Sequence, residues 1–136
     1  MDNHEMSKTP KSEIEQRLGK LKSRMLENGV DAALIVQNTD LFYFSGTVQQ
    51  SWLFVPSSGE PVLMVRKDSE RAKSESPLER VVFLSSSRLL TGVLEEFGYK
   101  IPDRLGMELD VLPVNLYRGY TTIFAGADIV DISPLI

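Results

Sequence analysis

The acidic residues best placed to act together are Glu108 and Asp110, in the stretch MELD. Residues two apart on a strand project to the same side of the sheet. The two carboxylates could therefore bind a metal ion or share a proton. No further ligand lies near them in the sequence. We favour the simpler interpretation, a strand end that reaches solvent, with Asp110 helping to cap the next helix.

Three consecutive serines, Ser85, Ser86 and Ser87, lie between a predicted strand and a predicted helix, where nucleophiles can occur. A serine nucleophile needs a nearby base, usually histidine. The one histidine is His4, so lysine would have to replace it, and we favour helix capping for these serines. The chain has no cysteine, which excludes a disulfide, a thiolate zinc site and a cysteine nucleophile.

The stretch DLFYFSGT, residues 40–47, crowds three aromatic rings into four positions. Asp40 can cap a short helical turn, and Gly46 can take a backbone conformation that other residues resist. Because this segment follows the first predicted strand, it lies where α/β folds place ligands. It is therefore either a plug for the core or one wall of a pocket.

Trp52 is the only tryptophan and begins a predicted strand. An indole at the mouth of a strand can pack in the core, or it can serve as a lid or an interface anchor. We favour core packing and keep the interface as the alternative.

The first predicted element is an amphipathic helix in SEIEQRLGKLKSRMLENG. Ser12 and Glu15 form a predicted capping box, and Asn28-Gly29 supplies a left-handed stop. Residues at helical spacing form one apolar face: Ile14, Leu18, Leu21 and Met25.

Strands and helices alternate along the rest of the chain. Ser51–Pro56 and Pro61–Arg66 are separated by a polar loop with Gly59, which predicts a β-hairpin. Two later helices have apolar stripes. The predicted inward residues are Leu89, Leu90, Val93, Leu94 and Phe97 in one, and Leu116, Tyr117, Tyr120 and Ile123 in the other, which Pro113 opens. The pattern predicts a three-layer α/β domain with a mixed central sheet of about five to six strands, covered by helices and containing one β-hairpin.

Composition sets the remaining limits. We expect a disordered tail over residues 1–11 and one folded domain over residues 12–136. The net charge of −4 argues against a nucleic-acid partner or an anionic membrane. The polar N-terminus has no apolar signal-peptide core, so we expect a cytoplasmic protein.

The motifs, taken in order, resemble the N-terminal domain of the creatinase/prolidase family, which includes Xaa-Pro aminopeptidases and dipeptidases. The resemblance spans roughly residues 13–136. The family's turn has Asn where this chain has Asp40, which suits helix capping equally well but removes an amide donor. The segments that carry the resemblance are RLGKLKSRMLENGVDAALIV, DLFYFSGT, GEPVLMVR, LGMELDVLPVNLY and VDISPLI.

The resemblance implies a second, larger catalytic domain in a parent protein. That domain would hold two divalent metal ions (manganese, cobalt or zinc) on Asp, His and Glu ligands, and this chain would contain no catalytic residue and no metal site of its own. The expected partners are the catalytic domain, a second subunit in a homodimer and proline-containing peptides. Asp40, Tyr43 and Trp52 become candidates for the rim of a partner's active site or for the subunit interface.

Two alternatives stay open. Some relatives bind proteins without peptidase activity, so the chain could be a protein-binding module. It could also be a free-standing α/β domain that binds a small molecule.

Overall fold

The computed structural model describes residues 8–136. Most of the predicted tail, residues 1–7, lies outside the described residues. The helices are α1 (Lys11–Glu27), α2 (Asn38–Ser45), α3 (Ser69–Glu75), α4 (Leu90–Glu96) and α5 (Val114–Ile123), with short 3-10 turns at Ser87–Leu89 and Ser133–Leu135. The strands are β1 (Ala32–Ile35), β2 (Ser51–Pro56), β3 (Val62–Val65), β4 (Val81–Phe83), β5 (Arg104–Met107) and β6 (Asp128–Asp131).

These strands form one mixed sheet in the order β4-β3-β2-β1-β5-β6. The predicted hairpin is confirmed, because β2 and β3 pair antiparallel with Ser51 opposite Val65 and Phe54 opposite Val62. Strand β2 is also antiparallel to β1. The pairs β1–β5, β3–β4 and β5–β6 are parallel. Five strands therefore run in one direction and β2 runs against them.

Helices cover both faces of the sheet, as the predicted three-layer α/β fold requires. We call the side covered by α1, α2 and α3 the first face and the side covered by α4 and α5 the second face. Successive strand residues alternate between the two. In β1, Ala33 and Ile35 join the core of the first face, while Ala32 and Leu34 join that of the second.

Helix α1 packs on the first face through its predicted stripe, since Ile14, Leu18, Leu21 and Met25 are all buried. The capping-box prediction at Ser12 and Glu15 is wrong. The N-cap is the extended residue Pro10, two residues before Ser12, and the helix begins at Lys11 without a side-chain cap. Proline suits this place because its fixed φ and missing N–H cost a helix start little.

Fewer residues of helix α5 are buried than its apolar stripe predicts. Tyr120 is buried and Ile123 is partly buried, but Leu116 and Tyr117 are exposed. Leu116 lines an open cavity instead of contacting a strand. In the other predicted stripe, Leu90 and Leu94 are buried and Leu89 is exposed, because Leu89 belongs to the 3-10 turn before α4.

Gly106, in the middle of β5, is fixed by packing. A Cβ atom built there would clash with Ile132 Cγ2 and lie 3.1 Å from Val30 Cγ1. Both neighbours belong to the core of the first face, where Ile132 has no exposed surface. The segment after β6 therefore packs directly on the backbone of β5.

We expect Gly106→Ala to destabilise the domain by about 1–3 kcal/mol, because the added methyl overpacks this contact. Gly119→Ala is the matched control. Nothing lies within 4 Å of a Cβ at Gly119, and the residue is inside α5. That variant should gain about 0.5–1 kcal/mol through helix propensity. Urea unfolding of both variants measures the difference, and equal midpoints would contradict the packing argument.

Candidate functional site at the carboxyl edge of the sheet

Five strands end at one edge of the sheet, which we call the carboxyl edge, and the antiparallel strand β2 begins there. In open α/β sheets, ligands bind beyond this edge. The polar residues that follow the strand ends are therefore the candidates for function. They include Asp40 after β1, Arg66 after β3, Ser85–Ser87 after β4, Glu108 after β5 and Asp131 at the end of β6.

Helix α2 presents the aromatic stretch at this edge. Asp40 does not cap the helix, contrary to the prediction. Gln37 is the N-cap, and its Oε1 accepts a hydrogen bond of 2.8 Å from the Asp40 backbone N–H. The cap therefore leaves the Asp40 carboxylate available for other contacts. Gly46 ends the helix with φ at 82°, as its expected conformational role requires.

The aromatic stretch is both a plug and a wall. Leu41 and Phe44 are buried in the core of the first face, whereas Phe42 and Tyr43 are exposed. The Tyr43 ring meets the Phe44 ring edge to face at 4.9 Å. The Arg17 guanidinium lies 4.3 Å from the centre of the Tyr43 ring, and Arg17 Nη1 donates to the Tyr43 carbonyl at 2.8 Å. Tyr43 is therefore held in place although it is solvent-accessible.

The loop after α2 is anchored by a buried threonine. Thr47 Oγ1 donates to Glu75 Oε1 at 2.6 Å, and Thr47 Oγ1 also accepts from the Gln49 backbone N–H at 3.1 Å. Burial acts to raise the pKa of Glu75, but hydrogen bonds from Thr47 and Gln49 and the charge of Arg71 outweigh it, so this pKa lies below its usual value. An ionised Glu75 thus holds the loop that leads into β2.

Glu108 is the main departure from the expected site. It does not reach solvent at a strand end, as we had favoured, but is only 6% exposed. Like Gly106, two residues earlier, Glu108 projects toward the first face. Its carboxyl group lies beside that of Asp40 in α2. Burial, a hydrogen bond with Asp40 and the charges of Asp40, Asp110 and Asp131 raise the pKa of Glu108 to about 9.

The state of Glu108 follows from its surroundings. Its Oε1 has no donor among the residues that the structure describes. An ionised Glu108 would be a buried charge facing a second carboxylate, which is costly. A protonated Glu108 removes both problems. Its raised pKa therefore keeps Glu108 a neutral carboxylic acid beside Asp40 at neutral pH.

Asp110 and Asp131 meet at a serine. Ser133 Oγ lies 2.6 Å from Asp110 Oδ1 and 2.5 Å from Asp131 Oδ1. Hydrogen bonds from Ser133 and from the Leu109 backbone hold the pKa of Asp131 below its usual value despite slight desolvation. The predicted capping role of Asp110 is wrong, because the N-cap of α5 is Pro113 and has no side-chain partner. Asp110 instead ties the end of β5 to the segment after β6.

These carboxyl groups do not form a metal centre. Within residues 8–136, no group of three or more His, Cys, Asp or Glu side chains is arranged to hold a metal ion.

The structure brings two of the three predicted rim residues together. Asp40 and Tyr43 line one cavity of about 360 Å³ on the first face, which we call the α1–α2 cavity. Its other polar walls are the cations of α1, namely Arg17, Lys20 and Arg24, and Leu135 and Ile136 close one end. A positive wall therefore faces the exposed tyrosine and the carboxylate of Asp40.

Trp52 lies elsewhere, on the second face of the sheet. It is 7% exposed, and its Nε1–H donates to the Tyr120 hydroxyl at 2.8 Å. Its edge lines a separate cavity of about 330 Å³, which we call the β2–α5 cavity. The favoured core packing of Trp52 is therefore what the structure shows, although part of the ring still reaches a cavity at the carboxyl edge.

Two features were missed from the sequence. The burial of Glu108 could have been predicted, because Glu108 projects from the same side of the strand as Gly106. Arg66 was missed because it was read only as the end of a hairpin strand. Arg66 directly follows β3, and Met64 of β3 lies opposite Trp52 in the hairpin. Arg66 and Trp52 are therefore at the same edge of the sheet.

The family model for the creatinase/prolidase N-terminal domain matches residues 17–136. The chain belongs to this family. No curated protein sequence gives a significant match.

Solved structures of similar fold include complete enzymes and excised domains. The prolidase from Pyrococcus furiosus is 26% identical with a TM-score of 0.73, and the match covers 87% of this chain and 36% of that one. The N-terminal domain of the cytoplasmic peptidase PepQ from Mycobacterium tuberculosis H37Rv is 25% identical with a TM-score of 0.75, covering 88% of this chain and 95% of that one. The Xaa-Pro dipeptidase from Bacillus anthracis shares the fold at 17% identity and a TM-score of 0.76, covering 90% and 34%.

In the described part of the chain, no helix combines the length and the apolar character needed to cross a bilayer.

We expect the stability of the domain to fall as pH rises between about 4.5 and about 9, the ordinary and folded pKa values of Glu108. In that range the folded state binds a proton that the unfolded state has lost, so raising the pH favours unfolding. Glu108→Gln should remove this loss, making the fall across the range smaller by more than about 1.4 kcal/mol, the equivalent of one pKa unit.

Denaturant unfolding at several pH values measures the effect. Glu95→Gln is the control, because Glu95 is exposed on α4. Asp40→Asn should also flatten the profile, since an amide can donate to an ionised Glu108. A Glu108→Gln profile parallel to that of the unmodified chain would refute the raised pKa of Glu108.

Proposed function

We propose that this chain is the non-catalytic N-terminal domain of a metal-dependent Xaa-Pro dipeptidase or aminopeptidase. In that role it contributes to the contact between two subunits and to the rim of the partner's active site. The observation that carries the proposal is the run of exposed apolar side chains along the carboxyl edge.

These side chains come from several connections at one edge. Between β1 and β2, Phe42, Tyr43 and Val48 are 43%, 45% and 70% exposed. After β5, Val111 and Val114 are 54% and 65% exposed. Single exposed apolar residues are normal, but several of them at one edge of a sheet are compatible with an interaction surface. A subunit or domain that covers this edge would bury these residues together.

The α1–α2 cavity suits the rim of a peptide site. Tyr43 offers an apolar ring with a polar tip, which is typical of half-wet interfaces. The cations Arg17, Lys20 and Arg24 provide a positive wall that would attract the carboxylate of a short peptide. Trp52 belongs to the proposal as a support, because its indole braces Tyr120 from beneath the edge.

The chemistry itself is assigned to the parent's catalytic domain. Beyond His4, this chain has neither His nor Cys, the side chains that most hydrolytic sites require. Two divalent ions, manganese, cobalt or zinc, would be bound in that other domain. The partners proposed are that domain, a second subunit and proline-containing peptides, with no nucleic acid and no membrane. The name of the Mycobacterium tuberculosis relative, a cytoplasmic peptidase, supports a cytoplasmic location.

This chain alone should cleave no Xaa-Pro dipeptide in the presence of manganese, cobalt or zinc, because it lacks the ligands for a catalytic centre. The measurement is proline release during incubation with each metal. Turnover that follows this protein through successive purification steps would overturn the assignment.

In the full-length parent, Tyr43→Ala should lower kcat/KM for dipeptides while the melting temperature stays nearly constant, because the side chain is exposed. Asp40→Ala should lower kcat/KM by more than its loss of stability explains, since this variant also removes the partner of the buried Glu108. Leu26→Ala is the control, since Leu26 is exposed near the opposite edge. Trp52→Ala should instead cost about 3–5 kcal/mol of stability, as expected for a buried tryptophan. Unchanged kinetics for both Tyr43→Ala and Asp40→Ala would contradict the rim role.

A protein-binding module is the second candidate, since the same exposed edge could receive a different protein. The sequence of the parent distinguishes the two. A following domain with an Asp, Asp, His, Glu, Glu ligand set supports the peptidase, and a following domain without those ligands supports the binding module.

A further inference from the structure

The β2–α5 cavity on the second face binds no ligand in the function proposed above, where Trp52 and Tyr120 only support the edge of the sheet. Its volume of about 330 Å³ is at the small end of the range for ligand pockets, which is about 300–1,000 Å³. It lies at the carboxyl edge, between the starts of β2 and α4 and the first turns of α5. The side chains that matter below are Gln50, Trp52, Arg66, Leu116 and Tyr120, with the three serines 85–87.

The charge of this cavity is one-sided. Arg66 is the one charged residue among those that line it, and no carboxylate is present there. Five ion pairs are found among residues 8–136, and Arg66 belongs to none of them. Arg66 is an exposed residue at the cavity wall, and its guanidinium makes no hydrogen bond within the described residues. An anion would find an uncompensated positive charge and a planar set of donors.

Tyr120 supplies a second donor from the wall. Its ring is 6% exposed, and its hydroxyl oxygen accepts the hydrogen bond from Trp52 Nε1–H. The hydroxyl proton has no acceptor in the described part of the chain. Burial raises the pKa of Tyr120, against the smaller effects of the Trp52 hydrogen bond and the Arg66 charge, so the hydroxyl keeps its proton and acts as a donor. The influence of Arg66 also places its charge near this hydroxyl.

The remaining polar groups add donors. The serine hydroxyls of residues 85–87 and the Gln50 amide line the same space. Ser86 Oγ already accepts from the Arg88 backbone N–H at 3.3 Å, which leaves its proton free to donate. Val36 and Leu116 form an apolar wall beside them. Donors on one side and an apolar wall on the other match a small molecule with an oxyanion head and an apolar body.

We propose that the β2–α5 cavity is a binding site for the oxyanion group of a small ligand, a carboxylate or a phosphate. Arg66 and the Tyr120 hydroxyl contact the oxyanion, the serines complete its coordination, and Leu116 contacts the rest of the molecule. The proposal is independent of the peptidase assignment, since it concerns only residues of this chain on the opposite face from Asp40 and Tyr43.

Trp52 reports directly on occupancy. It is the only tryptophan in the chain and it lines the cavity, so its intrinsic fluorescence follows binding without a label. The probes are inorganic phosphate, for a tetrahedral oxyanion, and N-acetylproline, for a carboxylate with an apolar body. Sodium chloride at matched ionic strength is the control for general salt effects. We expect a saturable fluorescence change with at least one of the two oxyanions and none with chloride.

Variants locate the site. Arg66→Gln should weaken binding about tenfold or more, the loss expected for a charge-assisted hydrogen bond. Tyr120→Phe should weaken it less, with an unchanged fold checked by circular dichroism. Arg118→Gln is the matched control, because Arg118 is an exposed arginine of α5 outside the cavity. Each variant is titrated against its own unliganded signal.

Saturation by phosphate alone assigns a phosphate site, and saturation by N-acetylproline alone assigns a carboxylate site. The proposal is overturned if neither probe saturates the signal beyond the chloride control. It is also overturned if Arg66→Gln, folded like the unmodified chain, binds with the same affinity.

Discussion

The rest of the domain depends on the burial of β1 on both of its faces. All four residues of this strand are buried, and it lies between β2 and β5 in the middle of the sheet. A strand covered on both sides requires helices on both sides, which is why the chain needs α1 to α3 on one face and α4 and α5 on the other. The candidate functional side chains lie at the carboxyl edge of the sheet that is built around this strand. The position of the site is therefore a consequence of how the core is filled.

Strand alternation divides the carboxyl edge into two chemically different halves. Glu108 lies on the first face beside Asp40, where burial raises the pKa of its carboxyl group. On the second face, Trp52 and Tyr120 join Arg66 in a cavity without a carboxylate. The reversed strand β2 contributes to this division, because it brings the start of a strand, with Gln50 and Trp52, to an edge otherwise made of strand ends. One edge thus carries an acidic buried pair and a separate basic cavity, with the sheet between them.

The fold could be predicted because its signals are local and repeated. The α1 stripe, the hairpin loop and the helix stops at glycine each depend on residues close in sequence. One error was local: the helix begins at Asn38, so Asp40 lies inside its first turn and Gln37 is the cap. The other errors came where a distant partner decided the outcome. Leu116 and Tyr117 carried the apolar pattern of a buried face, but the neighbours that would bury them are not supplied by the described part of this chain. Arg66 became a candidate only once β3 and α5 were seen to share a cavity.

The pairing order of the sheet also has a consequence for synthesis of the chain. Strands β1, β2 and β3 follow one another in the chain and pair as neighbours, so this part of the sheet depends on contacts close in sequence and can form early. The other side of β1 pairs with β5, where Ala32 lies opposite Leu105. Until that late strand has left the ribosome, the central strand has an open, apolar edge of the kind that recruits other chains. During synthesis, the strand that is buried on both faces in the folded domain is therefore open along one edge. Pairing with β5 closes that edge.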